Sequence, residues 1–254
     1  MTLPLPLLDL VALAFLLGAL PLASVAQLRV VDGMDMEMER VPAYLSSIAT
    51  LVVLGAAAWF VGSRYSGARA LGLASTPLGP VLSWTAVLVV SALAAVVVFR
   101  QVGVALGVGE SPLLRALMPR TPGERGLFAV LSVTAGVAEE VAYRGYALTT
   151  LAVVTGSLWA AVVTSVVFGV LHAYQGWLGV MRTGTMGGLL AWGYLASGSL
   201  WAPVAAHVLL DLMLGIVLAE RLMVPEPRTG VCSREGDPTA SPKEHHGSGS
   251  GPSR

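Results

Sequence analysis

The chain has 254 residues, of which 55% are hydrophobic and 12% charged, with a formal net charge of zero. A soluble domain carries about 25% charged residues, so this composition points to lipid rather than water as the surrounding solvent. Lys243 is the only lysine and no basic face is dense enough for a phosphate backbone, which argues against a nucleic-acid partner. Cys232 is the only cysteine, so an intramolecular disulfide and a four-thiolate metal site are both excluded.

Taken in order, the chain reads as a series of apolar runs of near-spanning length. Residues 3–27 form the first, interrupted by Asp9 and Pro21. A cleaved signal peptide would be preceded by basic residues, and none stands there, so a retained helix is expected. An acidic stretch with Asp32, Asp35, Glu37 and Glu39 follows within 31–40. Residues 43–61 form the second run, 62–80 a loop with Arg64 and Arg69, and 81–99 the third run. Residues 101–109 are apolar but too short to cross a bilayer, which takes about 20 helical residues. Three prolines and three arginines then punctuate residues 110–125. The remaining runs are 127–148, 157–172, 177–196 and 200–222, and a Pro-, Gly- and Ser-rich tail over 225–254 has too little apolar content to fold. The expectation is therefore an all-α polytopic transmembrane bundle of seven spans, or eight if 101–122 hides a further partial crossing. Residues 1–125 would form an amino-terminal helical region, 126–222 a core and 223–254 a polar tail. Lysine and arginine bias places the amino terminus and the second loop on the cytoplasmic side, but Arg115, Arg120 and Arg125 then fall on the wrong side.

Against that apolar background the stretch Glu139-Glu140-Val141-Ala142-Tyr143-Arg144 is the anomaly. Charge at hydrocarbon depth is expensive and is kept where it lines a cavity or carries function. Residues four apart share a helix face, so Glu140 can pair with Arg144 and His207 with Asp211, while Phe168 lies beside His172. One carboxylate would then be held by the arginine and the other left to act. Spacing alone leaves open which glutamate takes which part. Tyr143 and Tyr146, which flank the motif, are read as packing groups, and Trp59, Trp84, Trp159, Trp177 and Trp201 as interfacial anchors near helix ends.

A glutamate and a histidine can hold and deprotonate a water, and a second histidine with a neighbouring acid can stabilise the resulting oxyanion. Two histidines and a glutamate can also ligate zinc with water in the open position. Both schemes hydrolyse a peptide bond. The His-Glu-x-x-His signature of soluble zinc proteases is absent, and no serine or cysteine stands in a nucleophile setting.

Glu139-Glu140-x-x-x-Arg144, Phe168-x-x-x-His172 and His207-x-x-x-Asp211, in that order on three separate apolar runs, resemble the signature of the CPBP family. That family comprises the type II CAAX prenyl endopeptidases and bacterial Abi-like membrane proteins. The resemblance covers residues 127–222 and implies an intramembrane endopeptidase with a four-helix catalytic core, in the inner membrane of a bacterial cell. It implies Glu139 and His172 as activators of water, His207 and Asp211 on the oxyanion side, and Glu140 and Arg144 in support. The implied partner is a membrane-embedded or lipid-anchored protein or peptide. The family has been classed as metalloproteases, whereas the glutamate-dependent scheme requires no metal. CAAX-processing members carry asparagine where this chain has Asp211, which argues against assuming a prenylated substrate. Two other readings compete: a catalytically silent membrane partner, such as an immunity or scaffold protein, and a small proton-coupled transporter, disfavoured by the lack of an evident internal repeat.

Overall fold

The structure, a computed structural model, describes residues 5–31, 39–64, 66–218 and 221. Every regular element among these residues is helical. The acidic stretch at 32–38 and the tail at 225–254 lie outside the described residues.

Helix α1 (Leu7–Ala14) widens into a π turn (Phe15–Ala19) and continues as α2 (Leu20–Val31). Pro21 accounts for the widening, because its ring crowds the carbonyl four residues earlier, at Leu17 inside that turn. Helices α3 (Arg40–Ser63) and α4 (Leu78–Leu106) follow, separated by a 3₁₀ turn at Gly67–Leu71. The apolar stretch after residue 100 lengthens α4, which stops at Gly107, a left-handed position with φ of 65°. After the five-residue α5 (Pro112–Ala116), Thr121-Pro122-Gly123-Glu124 starts α6 (Pro122–Glu139). Its start is a capping box: Thr121 accepts from the Glu124 N–H, and the Glu124 carboxylate accepts from the Thr121 N–H. Then come a π segment (Glu140–Leu148), α7 (Thr149–Thr155), α8 (Ser157–Leu171), α9 (Gly176–Ser197) and α10 (Trp201–Leu212), which runs into a last π turn (Met213–Val217).

The expected seven or eight spans are not what forms. Among the described residues four helices are long and apolar enough to cross a membrane: Leu7–Leu28, Arg40–Ser63, Leu78–Leu106 and Pro122–Thr155. A fifth crossing exists only if Ser157–Leu171 and Ala173–Ser197, bent by 59° at their junction, count as one. Length explains the correction. At 1.5 Å per residue, α8 covers about 22 Å, short of the roughly 30 Å hydrocarbon core. Trp201–Val217 is likewise only a shorter apolar helix. Apolar windows register these pieces as spans because they do not see where the helices break. Gly156 (φ 80°) and Gly198 (φ 67°) mark two of those breaks.

Large apolar side chains such as Val52, Val53, Phe60, Val90, Leu158 and Val166 are exposed on the outer faces. In water such patches would be a liability, whereas in lipid they are the expected surface, and the architecture is that of a multi-pass membrane protein. Trp59, Trp159, Trp177 and Trp201 lie exposed near helix ends, while Trp84 packs edge-on to Trp192 at 5.2 Å.

Inside, α8 packs on α9, α3 on α6, and α10 on both α4 and α6. All nine residues of the π segment are buried, so the polar motif lies at the centre of the molecule. The crossing of α8 and α9 depends on Gly169: a Cβ there would meet the Val180 carbonyl oxygen at 2.6 Å and the Gly184 Cα at 3.1 Å. Gly169→Ala is expected to destabilise the protein by about 1–3 kcal/mol. Gly123→Ala, whose Cβ meets nothing within 4 Å, should be tolerated. Unfolding of the two variants in detergent checks the contrast, and equal stability would show that the crossing is loose.

Candidate functional site

The π segment begins at Glu140, directly after Glu139. Arg144 donates from Nη1 to Glu140 Oε1 at 2.8 Å and from Nη2 to the Gly187 carbonyl at 3.1 Å. Its guanidinium carbon lies 4.4 Å from the centroid of the Phe168 ring, a cation–π contact. One side chain thus joins the π segment to α8 and α9. His207, on α10, places Nδ1 2.8 Å from the same Glu140 Oε1. Its Nε2 faces Asp211 Oδ2 at 3.7 Å and Glu139 Oε2 at 3.8 Å, ion-pair distances too long for a direct hydrogen bond.

Both i,i+4 pairs expected from the spacing, Glu140 with Arg144 and His207 with Asp211, are present. Glu140 takes the arginine and the shared histidine on Oε1 alone, and the buried Oε2 atoms of both Glu139 and Glu140 have no hydrogen-bond partner among the described residues. Side-chain exposure rises outward from the pair, from 0% at Glu140 and 1% at Arg144 to 10% at His207, 15% at Glu139 and 37% at Asp211.

His172 ends α8. Its Nδ1 lies 2.8 Å from the Phe168 carbonyl and donates to it, so in the neutral ring Nε2 carries the free lone pair. The ring stacks at a tilt on Phe168, 4.8 Å between centroids, and Phe168 in turn lies edge-on to His207 at 6.0 Å. Phe168 is therefore the common wall of both histidines. Among the described residues no carboxylate lies within ion-pair distance of His172, so any joint action of His172 and Glu139 would run through a molecule between them.

The turn after His172 is fixed from outside the motif. Ser111 donates to the Tyr174 carbonyl at 2.6 Å. Arg182, which interrupts the sixth apolar run, pairs with Glu110 at 2.6 Å and donates to Gln175 Oε1 at 3.1 Å. On the opposite side of the π segment, Asp9 accepts from Tyr146 at 3.0 Å and from Arg64 at 2.5 Å. That cluster borders a cavity of about 360 Å³ lined by residues that include Leu71, Gly145 and Thr149. The sequence marks Asp9 only as an interruption and Tyr146 only as packing. Their partners lie 55 to 137 residues away, and no spacing rule reaches that far.

Two histidines and a glutamate were also a zinc possibility. Among the described residues no group of three or more His, Cys, Asp or Glu side chains is placed to hold a metal ion. As placed, the set does not fit the group.

A multi-pass helical membrane protein with buried histidine–glutamate contacts is the class that fold and site define. Residues 121–213 match the family model described as type II CAAX prenyl endopeptidase Rce1-like. The matched region holds Glu139, Glu140, Arg144, Phe168, His172, His207 and Asp211. No curated protein and no solved structure matches the chain.

Removing one partner of a buried pair leaves an uncompensated charge. Arg144→Ala is therefore expected to cost about 3–5 kcal/mol, read by chemical unfolding of the purified protein. A loss below about 1 kcal/mol would mean that water reaches the pair.

Proposed function

We propose that the chain is an intramembrane endopeptidase that cleaves membrane-embedded or lipid-anchored polypeptides with a water activated by Glu139. The observation that carries this reading is the division between two adjacent carboxylates. Both leave a buried Oε2 without a hydrogen-bond partner among the described residues, but Glu140 Oε1 is held by Arg144 and His207 at 0% side-chain exposure, whereas Glu139 is 15% exposed and faces His207 Nε2 at 3.8 Å. The family match over residues 121–213 supports the reaction class.

In this scheme a water binds between Glu139 and the free Nε2 of His172. Glu139 takes a proton from it as the oxygen adds to the scissile carbonyl carbon. The tetrahedral oxyanion accepts a hydrogen bond from His207, whose Nε2 carries a proton in the doubly protonated ring. Glu140 fixes that ring through Nδ1. Asp211, acceptor-only when ionised, orients His207 rather than donating to the oxyanion. Collapse breaks the C–N bond, and the proton on Glu139 passes to the leaving amine. Substrates enter from lipid or from the membrane surface, since the site is enclosed by helices with apolar outer faces.

The test uses the purified full-length chain in proteoliposomes with a pool of fluorogenic membrane-anchored peptides, one of them farnesylated at a C-terminal CAAX sequence. The wild type is expected to cleave at least one peptide. Glu139→Gln should lose at least about a hundredfold in rate with unchanged accumulation in the membrane. His172→Ala should lose a similar factor. Cleavage retained by Glu139→Gln would sink the mechanism. Activity should also survive chelation, and loss on chelation with recovery on adding zinc would replace direct water activation with a metal scheme.

A further inference from the structure

Tyr143 is the buried polar group that the site as described does not use. It is 1% exposed, and its hydroxyl has no hydrogen-bond partner among the described residues. Leaving a buried hydroxyl unpaired costs about 1–3 kcal/mol, and phenylalanine would fill the same volume without that cost. The neighbouring Tyr146 provides the contrast, since its hydroxyl is tied to Asp9.

Position gives the orphan hydroxyl a meaning. Tyr143 lies four residues after Glu139, whose buried Oε2 is likewise without a hydrogen-bond partner; Glu140 Oε2 is unpartnered too, but its side chain is 0% exposed against 15% for Glu139. The Tyr143 ring stands edge-on to Phe168 at 5.7 Å, on the ring that also carries Arg144, His172 and His207. An acceptor-only carboxylate oxygen and a hydroxyl that can donate are complementary to one water molecule. That water would donate to Glu139 Oε2 and accept from the Tyr143 O–H, with a second O–H left for His172.

We infer that Tyr143 is a further residue of the active site, its hydroxyl holding the water that Glu139 deprotonates. The inference rests on the endopeptidase reading and deepens it. The tyrosine changes no protonation state in the reaction. It fixes the position of the nucleophilic oxygen, which sets kcat and not substrate affinity.

Tyr143→Phe tests this in the full-length protein. The same peptide pool is expected to show kcat lowered about 10–100-fold with KM unchanged, at a thermal stability equal to or above wild type. A structural tyrosine would give unchanged kcat, and that result overturns the inference. Difference infrared spectra supply a readout independent of turnover. Tyr143→Phe should shift a carboxylate band in the wild-type background and no band in the Glu139→Gln background. Absence of the shift overturns the shared water whether or not the wild type cleaves the pool. Failure of the endopeptidase reading shows instead as no cleavage of any peptide by the wild type.

Discussion

A fully buried carboxylate must be compensated, and the arrangement around Glu140 follows from that requirement. Arg144 has a planar fork with several donors, and three of its parts are engaged: Nη1 by Glu140, Nη2 by the Gly187 carbonyl, and the flat face by Phe168. Glu140 Oε1 accepts a second hydrogen bond from His207. The π segment, α8, α9 and α10 are thereby joined through two side chains. Gly187 belongs to the same device. A Cβ there would lie 3.1 Å from Arg144 Nη2, so a side chain at that position would crowd the guanidinium that its carbonyl binds.

How much of this was legible depended on how far apart in sequence the partners lie. The four longest apolar helices were readable, since burial in lipid demands a continuous run and the run is local. The i,i+4 pairs Glu140–Arg144 and His207–Asp211 were readable for the same reason. Spacing could not say that Glu140, and not Glu139, is the glutamate joined to His207, since that bond spans 67 residues. The span count failed over residues 157–218 because hydropathy registers composition but not the 59° bend after Leu171. Gly156 and Gly198, with positive φ, were the available signals, but glycine is so frequent in this chain that none stood out.

The π segment is held from both faces. Toward α8 and α10 it presents Glu140, Tyr143 and Arg144. Toward α1 and α3 it presents Tyr146, whose hydroxyl reaches Asp9 and through it Arg64. A widened helix has fewer well-aligned backbone hydrogen bonds than an α-helix and persists where its surroundings fix it. Two polar clusters and nine buried residues provide that fixation. The amino-terminal helices, which lie outside the region matched by the family model, therefore help set the geometry of the site.

Exposure orders the polar groups by the work each can do. Glu140 and Arg144 sit at the dry end, with side chains 0% and 1% exposed. His207 and Glu139 come next, and Asp211 is the most open. Hydrolysis needs both conditions within a few ångströms: a fixed electrostatic framework that does not reorganise, and an acid or base that a water can reach. A chain with only buried ion pairs would satisfy the first condition and do no chemistry. Two adjacent glutamates on one helix, rotated by about 100° from each other, allow one to serve each condition. On the proposed endopeptidase reading, this accounts for a doubled carboxylate in an apolar helix, where a single buried acid already carries a large desolvation cost.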